Sequence, residues 1–386
     1  MNFKEFKYSL RFKNYKQYKI FFRFFEYKLK NLIFKFLIKF NFTKKNKPFL
    51  NLGNYYDSRF INFLFYALKK DFHFVYEKSD STILFLKKIG IFNFFKHTCE
   101  VTKIKNGNDI FKLSFNNSNI NENINFNTNY FEMIKNNHNK EKVLIMPYYV
   151  YPEVYNFYYN KIKISKNYLF KIFFSGSVYQ NVYANFNWEN NYNNSQSNYL
   201  SRIEIINIIT KEFKNEIFFI KKKNDLKNND IFKKRIIFSL YDRMISKKKY
   251  FLNFRDNYNL LSKSAFNLNC PGAVMPICHH TIEGIKLGSI PITSCNNVIY
   301  PPLNNDLCLT YKDKESLICS FDTALKMKDD EIKQKKIKLI KFYNKNFSPQ
   351  SFKNKFISNL NIANRKEIIA CNDHESVERY KKNKVN

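Results

Sequence analysis

Residues 262–292 constrain this chain more than any other stretch, because strand, loop, helix and strand signals follow one another there without a gap. Ala265 to Asn269 alternates small or apolar residues with polar ones, and Pro271-Gly272 stops the run with turn chemistry. Pro276 suits the first helical position, where a missing N–H leaves nothing unpaired. Gly288 suits the position just past the helix end, where a left-handed residue closes it. Ile290 and Ile292 then open a new buried run. A strand, a crossover helix and a strand this close together predict a parallel βαβ unit.

The helix carries chemistry of its own. On a 3.6-residue period His279, His280 and Glu283 share one face, and Ile282 and Ile285 lie on an adjacent one. That polar face falls near the helix N-terminus, at the carboxyl end of a parallel strand, where α/β sheets bind ligands. Free N–H groups and the helix dipole favour phosphate there, and a carboxylate holds a ribose diol by accepting two hydrogen bonds. A plainer reading fits the same residues: Glu283 favours an N-terminal half-turn and the histidines are solvated. The residues alone leave both open.

The order Ser264-x-Phe-x-Leu-x-x-Pro-Gly272, then His279-His280, then Glu283-Gly-x-x-x-Gly-Ser-Ile-Pro-Ile292, resembles the nucleotide-sugar site of GT-B glycosyltransferases. The likeness is to the exostosin-like enzymes, with a fainter one to GT-B fucosyltransferases. It covers about residues 250–305 and thins upstream to Phe173-Phe-Ser-Gly-Ser177 and Arg202. Family members usually carry an arginine just before the helix, where this chain has the two histidines.

The chain has 386 residues, which makes two domains the default. Its net charge of +34 would ordinarily point to nucleic acid or an anionic membrane. Lys, Asn, Phe, Tyr and Ile are all abundant while Gly is scarce, so part of that charge reads as compositional drift. No RNA-recognition motif, zinc-finger spacing or basic zipper is present. The seven cysteines are irregularly spaced without a C-x-x-C pair, which argues against a zinc site and for reduced, buried thiols of a cytosolic protein. No secretory signal is visible, since lysines break the first apolar cluster.

Residues 1–48 hold 12 Lys and 2 Arg against 2 Glu, about a third of the net charge in an eighth of the chain. Leu29, Leu32, Ile33, Phe36, Leu37 and Phe40 recur at helical spacing with Lys28, Lys35 and Lys39 on another face. No apolar run reaches the roughly 18 residues that a spanning helix needs. The segment reads as an amphipathic helix on a membrane surface, as one packed on the protein, or as a disordered tail.

A βα opening follows: a strand at 48–52, a loop, Asp57 as N-cap, a helix over 59–70 and a strand at 72–76. Asp57 is either a plain helix cap or also a catalytic base facing a cleft. Residues 82–95 look helical, and the Asn-rich stretch from about 105 to 140 reads as a long loop or a poorly ordered insertion. Residues 143–147 form a buried strand, and Tyr151 stands where the family often has a histidine. A strand over 169–174 delivers Ser175-Gly-Ser177 into a loop, where Gly176 would permit close approach to a phosphate. Arg202 starts a helix behind Ser201 and either reaches a diphosphate or points to solvent. Residues 217–220 and 236–238 are further apolar runs, residues 307–310 read as a strand, residues 329–345 as a basic helix, and 352–360 as a terminal helix packing back on the first domain.

No G-x-S-x-G elbow, P-loop, dinucleotide fingerprint, H-E-x-x-H or Asp-x-Asp motif is present. The resemblance implies an α/β protein of the GT-B class, with two Rossmann-like domains facing a cleft. The expected boundaries are a basic segment 1–48, an acceptor domain 49–165, a nucleotide-sugar domain 166–345, and a C-terminal helix and tail 346–386. It implies sugar transfer from a nucleotide-sugar donor to a glycan or lipid-linked hydroxyl, without a cofactor or a metal at the donor site. Gly176, Ser177, Arg202, Lys263, His279, His280 and Glu283 would hold the donor, and Asp57 is the candidate base. The protein would sit in the cytoplasm, in peripheral contact with the anionic membrane face and not with nucleic acid. Two other classes stay open: a non-catalytic membrane- or polysaccharide-binding protein of this fold, and a basic nucleic-acid-binding protein.

Overall fold

The computed structural model describes residues 29, 32, 47–51, 58–76, 98–100, 110–115, 123–136, 144–148, 150, 154–155, 167–183, 200–228, 231, 233–241, 252–272, 276–360, 367–371 and 376. The chain divides into two compact units, Met1–Ser114 with Asn121–Asn123, and Phe115–Ile120 with Ile124–Asn386. Among the described residues both are built of parallel strands and helices.

The first unit opens with β1 (Phe49–Asn51), α1 (Ser58–Leu68) and β2 (His73–Tyr76), followed by β3 (Thr98–Glu100) and β4 (Ile110–Phe115). The strands lie in the order β3-β2-β1-β4, and Leu50 of β1 faces Phe74 on one side and Phe111 on the other, both in parallel register. Phe60, Phe63, Leu64 and Leu68 of α1 are fully buried. Their spacing is that of one apolar helical face, so the helix covers the sheet with the residues that the periodicity selects. This is the βαβ opening expected at 48–76. Asp57, Tyr151 and the helix expected over 82–95 lie outside the described residues.

The stretch expected to be a long loop is not one. It contributes β4, β5 (Asn123–Asn127) and α2 (Tyr130–Asn136). The asparagines hide the pattern: Ile124 and Phe126 alternate inward along β5, while Asn125 between them is also buried. Polar residues inside a two-sided parallel sheet defeat a reading based on composition. β6 (Leu144–Ile145) follows, as expected from residues 143–147.

The rest of the second unit comprises β7 (Phe170–Ser177), α3 (Gln180–Tyr183), α4 (Arg202–Glu212), β8 (Ile217–Phe219), β9 (Ile236–Tyr241), α5 (Phe254–Ser262) and β10 (Ser264–Asn269). It continues through α6 (His279–Leu287), β11 (Ile290–Thr293), β12 (Leu309–Thr310), α7 (Lys314–Lys326), α8 (Asp329–Asn346), α9 (Pro349–Leu360) and β13 (Glu367–Ile369). β13 lies between β5 and β6 and is parallel to both, a strand that the sequence reading did not expect so near the C-terminus. α9 packs on α8 and on β6, as expected for a terminal helix returning to earlier chain.

A six-stranded sheet runs β12-β11-β10-β7-β9-β8, parallel throughout. From β7 the chain crosses one way to β8 and β9, then returns to build β10, β11 and β12 on the other side. Taking β7 as first, the order is 2-3-1-4-5-6, so β8 stands at the edge outside β9 rather than beside β7. The order still reverses at β7 and β10, and that reversal is where open α/β sheets form their ligand crevice. α5, α6 and α8 form one helix group and α4 and α7 another. Right-handed crossovers leaving in opposite directions put such groups on opposite faces of the sheet. Its strands are accordingly apolar on both sides, and all six residues of β10 are buried.

The predicted βαβ unit is β10–α6–β11, with Phe266 to Asn269 in register with Ile290 to Thr293. Gly288 closes α6 in the left-handed region at φ 72°, which lets the Ser289 N–H return to the Gly284 carbonyl at 2.9 Å. The helix starts later than expected. Pro276 is not its first residue; Cys278 is still extended at φ −110° and ψ 140°, and helical geometry begins at His279. Ile277, 2% exposed, anchors the approach to the helix in the core.

Candidate functional site at the carboxyl edge of the parallel sheet

Arg202 is the first residue of α4, and the helix start fixes it. Ser201 accepts from the Glu204 N–H at 3.3 Å, and the Glu204 carboxylate accepts from the Ser201 N–H at 2.7 Å, a reciprocal capping box. The guanidinium does not point to solvent: Arg202 is only 6% exposed. Its Nη1 donates to the Ser177 carbonyl at 3.2 Å and its Nη2 to the Pro271 carbonyl at 2.8 Å, while the group stacks 4.0 Å from the Tyr183 ring centre. One buried cation thus ties the end of β7 to the turn after β10, across the topological switch. Its Nε is buried and has no acceptor among the described residues. A buried charged donor in that position is costly unless something accepts from it.

Gly176 and Ser177 were expected in a loop. Instead β7 continues through Ser177, paired with β9 as far as Tyr241, because the apolar run on β9 extends the ladder. A Cβ on Gly176 would stand 2.7 Å from the Phe174 ring, so this glycine makes room for a side chain two residues back. Ser177 meets Arg202 through its carbonyl.

The first turn of α6 brings His279, His280 and Glu283 together, with one ligand-capable atom of each within 4.8 Å of the others. His280 Nδ1 lies 3.4 Å from Glu283 Oε2. The Glu283 side chain is 1% exposed and His280 about a quarter exposed, so the imidazole covers the carboxylate. Burial pushes the His280 imidazole down to about 4, and the Arg202 charge adds to that. His280 is therefore neutral at physiological pH and offers hydrogen bonds instead of positive charge. Burial raises the Tyr258 phenol well above its usual range, with the neighbouring Glu283 charge as the next cause. Lys286 is lowered by burial to about 8, Glu283 pulling the other way.

Lys263 does not belong to this constellation. It precedes β10, and its carbonyl accepts from Leu169 N at 2.8 Å on the amino side of the sheet. The length of β10 puts it roughly 20 Å from the carboxyl edge. Charge at that sequence position suggested proximity; strand direction removes it.

Sequence reasoning missed two asparagines. Asn267 Nδ2 donates to Asn269 Oδ1 at 3.0 Å and to the His280 carbonyl at 3.4 Å, and Asn269 Nδ2 returns to the Asn267 carbonyl at 3.2 Å. Tyr311 donates to the Asn269 carbonyl at 3.1 Å. These contacts fasten the first turn of α6 to β10. Their signal was present: two polar residues at period two in a strand whose neighbours are apolar on both sides.

The chain matches no protein-family model and is similar to no curated protein at a significant level.

Proposed function

We propose that this chain is a glycosyltransferase of the GT-B class, exostosin-like in its second half, which moves a sugar from a nucleotide-sugar donor to a glycan or lipid-linked hydroxyl. The observation that carries the reading is Arg202: a buried guanidinium with a spare donor, held at the strand-order reversal beside the first turn of α6. That combination suits the diphosphate of a bound nucleotide, since charge-assisted N–H donors and a helix N-terminus both favour it. Glu283 takes the ribose diol once the His280 imidazole turns off its carboxylate. His279 and the neutral His280 donate hydrogen bonds to the diphosphate, and Arg202 supplies the charge. As the glycosidic bond to phosphate lengthens, negative charge grows on the leaving group, and these preorganised donors gain most there. A carboxylate or imidazole of the first unit accepts the proton of the attacking hydroxyl, with Asp57 as the candidate. In this proposal residues 49–165 and 166–345 are the two Rossmann-like halves of a GT-B enzyme.

The N-terminal segment belongs to the same proposal. Leu29 and Leu32 are 50% and 67% exposed, large apolar side chains amid the basic stretch. No helix among the described residues is long and apolar enough to cross a membrane. A peripheral helix with lysines at the headgroups uses both features.

Thermal shift against UDP-, GDP- and CMP-sugars tests the proposal. One nucleotide class should raise the melting temperature in a concentration-dependent way, by mass action on the folded state. No shift with any of the three at millimolar concentration overturns it.

A further inference from the structure

We infer that His279, His280 and Glu283 form a site for one divalent transition-metal ion of the zinc class. The three contribute one ligand-capable atom each within 4.8 Å of one another. Two ligands bound about 2.0–2.1 Å from one tetrahedral zinc ion stand roughly 3.3–3.4 Å apart. His280 Nδ1 and Glu283 Oε2 already stand 3.4 Å apart. Two imidazoles and a carboxylate are a donor set that zinc accepts and magnesium or calcium does not favour. Cys278 adds a softer neighbour, its Sγ 3.9 Å from His279 Nδ1.

The scaffold holds these groups as a metal site requires. His279 and Glu283 are four residues apart and His280 and Glu283 three, so all project from one helical face. Glu283 is 1% exposed, and Asn267 Nδ2 reaches the His280 carbonyl at 3.4 Å, which ties the ligand-bearing turn to β10. Arg202 is the charge that opposes an incoming cation, and Glu283 offsets it. Three protein ligands leave a fourth position for water or another donor.

The ion and a donor ribose draw on the same carboxylate. Metal titrations are therefore run without nucleotide and donor titrations in EDTA. A chain that binds donor and no metal loses this inference alone; one that binds metal and no donor loses only the transferase reading.

The test is zinc binding by the full chain after EDTA stripping, read by elemental analysis and by competition with a chromogenic chelator. Wild type should take up one equivalent more than His279→Ala/His280→Ala, and Glu283→Gln should weaken that equivalent about tenfold or more. Cobalt in place of zinc should give the strong visible absorption of a tetrahedral site in wild type only. Melting in EDTA shows whether the double variant is folded; if it is not, His279→Gln at its partly exposed position carries the same comparison. Equal stoichiometry and affinity in wild type and a folded variant would overturn the inference.

Discussion

Gly284 stands in the middle of α6, where glycine costs roughly 1 kcal/mol relative to alanine. Its reason is Asn267: a Cβ there would come within 2.5–2.7 Å of that side-chain amide. The amide cannot step aside cheaply, because it is buried and bonded to Asn269 and to the His280 carbonyl. Gly284→Ala should therefore lose about 1–3 kcal/mol of stability by overpacking, despite the better helix former. Urea unfolding of the two proteins checks this; a gain in stability would mean that the helix and strand are not in such close contact. At this scale the site was half legible. Helical spacing alone brought His279, His280 and Glu283 together. It could not show that Glu283 is buried beneath His280, because spacing leaves open how deeply that face is covered, or that Arg202 turns inward, because its two carbonyl partners lie far away in the chain. Lys263 failed for the opposite reason, since nearness in sequence to β10 is not nearness to its carboxyl end.

Among the elements, α8 carries an unusual residue on its inner face. Lys336 is 7% exposed, its Nζ donates to the Ser264 carbonyl at 3.3 Å, and burial lowers its pKa to about 8. Below that pH the folded chain carries a buried charge that the unfolded chain hydrates freely. Between about 8 and the ordinary lysine value of 10.5 the folded lysine is neutral while the unfolded one stays protonated, so its contribution to stability rises with pH. Lys336→Met should stabilise the protein at pH 7 by on the order of 2–3 kcal/mol. That gain should be level below pH 8 and shrink towards pH 10.5, as read from urea midpoints across the range. A pH-independent difference would show that the charge is not the cause. The elements of the six-stranded sheet were legible wherever strong apolar runs met glycine or proline punctuation, as in β10–α6–β11. β5 and β13 were not, because asparagines in one and a polar flanking tail in the other disguise strands buried by pairing.

For the whole molecule, the +34 net charge is the property least tied to the fold, and a third of it lies in residues 1–48. Deleting these residues should abolish co-flotation with anionic vesicles and leave neutral vesicles indifferent, since each lysine near an anionic surface contributes roughly 1 kcal/mol. Unchanged flotation of the truncated protein would place the membrane contact elsewhere. Parallel α/β architecture was legible from the strand, helix and strand signals of β1–α1–β2 and β10–α6–β11; the strand order 2-3-1-4-5-6 was not, because nothing local tells β8 to take the edge. The central claim is that this sheet edge holds a sugar nucleotide, with Glu283 on its ribose. Calorimetric titration settles it, in EDTA, with the sugar nucleotide that raises the melting temperature, against wild type and Glu283→Gln. Charge-assisted bonds to the diol contribute roughly 1.5–3 kcal/mol each, so the variant should bind about tenfold to a hundredfold more weakly, with the ligand-free melting temperature unchanged. Equal affinities would contradict the account.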